Sequence, residues 1–203
     1  KLVVSGSRYS FYLLFIMVIP ILFETEYVLT LWLRNVPEYT VVFVQLSLIY
    51  MLCQSLSNTL FTAMLATGNI RNYQIVVGGL ALMAFPLSYA LFKMGFAPSY
   101  CYYISIFISV SCLIARLVML QRMIGLPMHI FLKDVVLRVL FVSILSLVIP
   151  CLIINLMPQG FVRLMVLSFV SLMTISIVIL YIGITKNERV FLITYIKNKI
   201  HKK

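Results

Sequence analysis

Six runs of predominantly apolar residues leave this chain few folds to adopt. The hydrocarbon core of a bilayer is about 30 Å thick and takes about 20 residues of α-helix to cross. Residues 9–23, 39–66, 73–92, 100–120, 135–155 and 161–185 each form a run of that kind. The first is short for a span and the second long, so both are expected to depart from a straight helix perpendicular to the membrane. Composition agrees: 63% of the 203 residues are hydrophobic and 10% are charged, where a soluble domain carries about 25% charged residues. The expected fold class is all-α, a polytopic membrane helix bundle with six transmembrane helices.

Orientation follows from the basic residues. All 16 Lys and Arg except Arg34, Lys93 and Arg163 fall on one side of the alternating spans, and those three share the other side with Glu24, Glu26 and Glu38. Translocation of Lys and Arg is disfavoured, so both termini are expected to be cytoplasmic. The same asymmetry accounts for the net charge of +11. Basic residues in short loops and a tail meet anionic headgroups, which makes membrane lipids partners and excludes nucleic acid. Three parts are expected: 1–122 with four spans, 123–185 with a surface segment and a two-helix hairpin, and 186–203, a basic amphipathic tail with Leu192, Ile193, Ile196 and Ile200 on one side. The chain opens at Lys1 without a signal-peptide pattern and is expected to be the C-terminal part of a longer protein.

The second run carries the chemistry. No charge lies between Glu38 and Arg71, yet Ser47, Met51, Gln54, Ser55, Asn58 and Thr62 share one face at about 100° per residue. An unpaired amide or hydroxyl in hydrocarbon costs roughly 1 to several kcal/mol. Two arrangements meet that need: interhelical hydrogen bonds to neighbouring helices, or a wet cavity for something polar. A seam of six that includes Gln54 and Asn58 fits the cavity wall better.

Punctuation along the chain adds detail. Pro20, Pro86 and Pro150 are expected to kink their spans, and Leu29, Trp32 and Leu33 mark a short helix in the outer interface, anchored by the single Trp. Glu38 after Pro37 is expected to open the second span against the helix dipole, and Thr67-Gly68-Asn69 to end it. Gly78-Gly79 permits close helix contact. Arg71 sits at the cytoplasmic mouth between two spans. Arg116 is placed about one turn inside the end of its span, where it either snorkels or faces a cavity. The connection 121–133, broken by Gly125 and Pro127, is expected to lie on the membrane surface, with His129 as a structural residue.

Catalysis has no candidates. All five acids sit at or near span ends, neither histidine lies in a span, and no HExxH, GxSxG or phosphate-cradling glycine loop is present. The cysteines, Cys53, Cys101, Cys112 and Cys151, fall within spans without a CxxC pair and read as core residues, so neither a metal nor a cofactor is expected. A coupling proton or Na⁺ site generally uses an intramembrane carboxylate, and this segment offers none.

The run P-x-L-x-E-T-E-Y-x-L-x-L-W-L-x-x-V-P-E-Y-T from Pro20 and the turn T-G-N-I-R-x-Y-Q from Thr67 carry a family resemblance. Over 7–89 the chain resembles the C-terminal part of Wzx-type O-antigen and capsule flippases, polysaccharide transporters of the multidrug, oligosaccharidyl-lipid and polysaccharide exporter superfamily. The last two spans match in hydropathy alone. The resemblance implies two six-helix bundles around a cavity in the bacterial inner membrane, with undecaprenyl-pyrophosphate-linked oligosaccharide moved by alternating access. It also implies that the N-terminal helical bundle is missing here, and that these residues alone do not transport. Cationic side chains in the cavity would meet the diphosphate, with Arg8, Arg71 and Arg116 as candidates, because an arginine fork bonds two phosphate oxygens. Gln54, Asn58 and Ser47 would contact sugar or ordered water. Alternatives are a multidrug-type antiporter of the same superfamily, disfavoured by the missing intramembrane acid, and a glycan polymerase or ligase, disfavoured by short outer loops without His.

Overall fold

A computed structural model describes residues 2–33, 35–68, 70–184 and 188. The amphipathic tail therefore lies outside the described residues, apart from Glu188. Among the described residues the protein is all-helical, and six helices are long and apolar enough to cross a membrane: Leu2–Phe23, Thr40–Ala66, Ile70–Lys93, Tyr100–Ile124, Met128–Leu156 and Phe161–Gly183. It is a multi-pass membrane protein. The chain packs as two compact units, Lys1–Val135 and Val136–Lys203.

In the first unit, α1 (Leu2–Phe23) runs 22 residues and is not short. Its polar opening Ser5-Gly6-Ser7-Arg8 is helical, with Ser7 and Arg8 buried and Ser5 and Gly6 half-buried rather than left to lipid. Pro20 stays inside the helix. The chain bends at Glu24, and α2 (Thr25–Trp32) follows, burying Leu29 while Trp32 stays exposed. The next helix, α3 (Thr40–Ala66), starts after Glu38, which therefore does not cap it. Tyr39, in the left-handed region at φ 69°, occupies the cap position and makes no side-chain cap bond. At the other end Gly68, at φ +73°, reverses the chain as glycine's freedom allows.

The third span is broken into α4 (Ile70–Leu82) and α5 (Ala84–Lys93). Pro86 has no N–H to close on the Leu82 carbonyl, so the interruption falls at Met83, whose own N–H reaches Gly79 and Leu80 carbonyls at 3.2 Å. Gly78 and Gly79 meet nothing within 4 Å of a would-be Cβ, so the close contact they permit is not made among the described residues. Next, α6 (Tyr100–Ile124) ends on Gly125 at φ +65°. The connection read as a surface segment is only 125–127. The short helix α7 (Met128–Phe131) and a π-helical stretch, Leu132–Leu137, already belong to the next span, and Phe131 is fully buried.

Helix α3 is the centre of this unit. α1 and α6 each pack along it, and α4 and α5 pack along α6. Phe11 and Phe15 of α1 stack at 5.5 Å, and Leu60, Met64, Leu117 and Leu120 are almost wholly buried. Burying a side chain of that size contributes about 1.5–3 kcal/mol in water. In lipid the corresponding gain is packing itself, since tails are as apolar as Leu.

The second unit is a hairpin of α8 (Arg138–Leu156) and α9 (Phe161–Val178), the latter ending in a π-helical turn, Ile179–Gly183. Arg163 Nη1 donates to the Met157 carbonyl at 3.1 Å and closes the connection.

Candidate functional site

Four contacts fix the heights of the helices in the first unit. A Cβ on Gly6 would lie 2.9 Å from Thr59 Cγ2, and near the far end Gln45 Nε2 donates to the Leu22 carbonyl at 3.3 Å. Helices α1 and α3 are therefore antiparallel, with Arg8 level with Ser57. Phe43 and Tyr102 rings lie 5.7 Å apart, and Arg116 Nη1 donates to Ser57 Oγ. Helices α3 and α6 thus run in parallel, and Arg116 is also level with Ser57. From α4, Tyr73 reaches the same level: its hydroxyl accepts from Arg116 Nε at 3.0 Å.

Two arginines on two helices therefore stand at the height of one serine. Arg116 lies about 12 Å before the end of α6 at 1.5 Å per residue, more than two turns in, so it is deeper than the sequence suggests. Its partners are all neutral. Besides Ser57 and Tyr73, the guanidinium carbon sits 5.9 Å from the Phe61 ring centroid and 5.8 Å from that of Tyr73. Each such cation–π contact contributes about 0.5–2 kcal/mol, against about 2.5–3.5 kcal/mol for placing an arginine in a span. Among the described residues Nη2 meets no protein acceptor.

Arg8 is 1% exposed, with its guanidinium carbon 5.5 Å from the Tyr9 ring centroid. Beside it Ser7 is wholly buried and its hydroxyl has no hydrogen-bond partner. None of α1, α3, α4 or α6 contributes an acid. Arg116, with neutral partners, suits an oxyanion, above all a phosphate or diphosphate, which its planar fork can bond twice.

The other expected site residues are arranged differently. Arg71 is exposed in the first turn of α4, outside this layer. Gln54 Nε2 donates to its own helix's Tyr50 hydroxyl at 2.7 Å, and Ser47 Oγ donates to the Val44 carbonyl at 2.8 Å. Ser55 and Thr62 likewise donate to the carbonyls of Leu52 and Thr59. Asn58, Thr62 and Met51 are exposed. The seam is thus mostly satisfied within α3, with one half turned outward, and the polar contacts from α3 to other helices are made by Gln45 and Ser57, both outside the seam.

The sequence reading missed Ser57, Tyr73 and Phe61. Ser57, Leu60 and Met64 share a buried stripe at helical spacing, and Tyr73 belongs to the Thr67–Gln74 turn; those were the available signals. Glu24, expected on the outer side, lies at the α1–α2 joint just past the first span and is completely buried. Among the described residues no cluster of three or more His, Cys, Asp or Glu could hold a metal ion. The chain matches no protein-family model, no curated protein and no solved structure.

Proposed function

We propose that this chain is part of a transporter that moves an undecaprenyl-pyrophosphate-linked oligosaccharide across the bacterial inner membrane. The observation that carries the reading is Arg116, a cation within a span held by neutral partners at the height of Arg8. Such a layer attracts the diphosphate of the carrier from the cytoplasmic side, while the sugar stays in wetter surroundings along Gln54 and Asn58. The experiment is leaflet-selective labelling of undecaprenyl-linked oligosaccharide in cells lacking the gene and any redundant transporter. Complete repeat units trapped on the cytoplasmic face are expected. A normal two-leaflet distribution overturns the reading.

One observation favours a second reading, a coupled multidrug-type antiporter: Glu24, at the end of the first span, is completely buried, and ion coupling generally uses a shielded carboxylate. The cationic layer argues against cationic drugs as cargo. Glu24→Gln is accordingly expected to keep lipid-linked oligosaccharide export at the parental level and leave sensitivity to cationic drugs unchanged. Drug sensitivity appearing in that variant, with export intact, would shift the assignment to the antiporter.

A further inference from the structure

The hairpin of the second unit buries polar groups that its own helices do not satisfy. Helix α8 turns Val142, Ser146 and Pro150 inward, and α9 turns in Leu167, Ser171 and Ile175. The connection lies at 157–160, so residues equally distant from it face one another in an antiparallel pair, and Ser146 stands opposite Ser171. The two serines are 1% and 0% exposed, and neither hydroxyl has a hydrogen-bond partner.

A helical hydroxyl has an ordinary way out, a bond back to a carbonyl one turn earlier. Thr174 in the same helix takes it, donating to the Val170 carbonyl at 2.8 Å. Ser146 and Ser171 do not. A third group joins them: Pro150 has no N–H, so the Ser146 carbonyl lacks its intrahelical donor. That carbonyl lies along the 146–150 stripe, which is the stripe buried against α9. The level is about 15 Å from the connection at 1.5 Å per residue, the middle of a core about 30 Å thick. Leaving these groups unbonded there costs roughly 1 to several kcal/mol each.

We propose that one water molecule is bound at mid-membrane between α8 and α9, bridging the Ser146 and Ser171 hydroxyls and accepted by the Ser146 carbonyl. Two hydroxyls and one carbonyl give the two to four partners a buried water needs. A cation is disfavoured, because neither helix supplies a carboxylate. The site is independent of the cationic layer and of the transport reading.

Water-edited solid-state NMR on the 203-residue chain in lipid bilayers tests it. Water-to-amide transfer is expected at Ser146 and Ser171, with Val142 and Ile175 one turn away dry. Loss of that transfer is expected in the Ser146→Ala/Ser171→Ala variant, whose helix content from circular dichroism reports that it still folds. Pro150→Ala, which restores an N–H to the Ser146 carbonyl, is expected to weaken the transfer without abolishing it. Uniformly dry mid-sections in the parent chain overturn the proposal, as does a signal that shifts when K⁺ is exchanged for Na⁺.

Discussion

Arg116→Met is expected to abolish export of lipid-linked oligosaccharide while leaving the protein folded and inserted. Methionine matches much of the arginine's length and keeps the apolar stem, so packing along α6 changes little. Removing the charge eases insertion of the span by about 2.5–3.5 kcal/mol. Ser57 and Tyr73 lose a donor, but the Ser57 hydroxyl can turn back to a carbonyl of its own helix, as Ser55 already does to Leu52 at 2.7 Å. Stability and export should therefore move in opposite directions. A residue kept only to pin α3, α4 and α6 together would lower both. Losing one charge-assisted bond to phosphate, about 1.5–3 kcal/mol, lowers binding by about ten- to a hundredfold. Arg116→Lys keeps the charge but loses the planar fork and should fall between parent and Met. The measurement is cytoplasmic-face accumulation of labelled substrate beside protein level in the membrane; full export with Arg116→Met would remove the arginine layer from the mechanism.

The second large effect is at Gly6. A valine there is expected to destabilise the first unit, because even its Cβ meets Thr59 Cγ2 at 2.9 Å and two methyl groups follow. Overpacking of this kind costs about 1–3 kcal/mol, more than the roughly 0.5–1 kcal/mol that replacing a helical glycine contributes. Thr59→Ala, which removes Cγ2, should recover part of the loss, and the recovery measures the coupling between the two sites. Unfolding by SDS titration of the single and double variants checks it. Equal stability of Gly6→Val and the parent would mean that α1 and α3 do not approach there.

The spans were legible in the sequence because length and hydropathy are properties of the chain itself. Their ends were less so. Residues 121–133 read as a surface connection on the strength of Gly125 and Pro127, although only 125–127 interrupt the helices and Phe131 is buried. The kink expected from Pro86 appears at Met83, since what a proline removes is a bond to a carbonyl four residues earlier.

The surroundings of the polar seam of α3 were not legible for a different reason. A helical wheel says which residues share a face, not whether that face meets a helix or lipid, and serine or threonine can be satisfied without any neighbour. Ser57 was passed over because one serine beside leucines carries no pattern. Its weight comes from Arg116, 59 positions further along the chain, and a pairing that distant has no local trace. Arg8 and Arg116 stood out through the family resemblance and their places in the spans, and it took the register of three helices to place them at one height.

That register has a mechanical consequence. Helix α3 lies against α1 on one flank and α6 on another, and both arginines are aligned to the same serine. A slide of α3 along its axis by one turn, about 5.4 Å, would carry Ser57 past Arg8 and Arg116 together, whatever the direction in which each neighbouring helix runs. A piston stroke of that one helix would thus change the position of Ser57 relative to both charges at once.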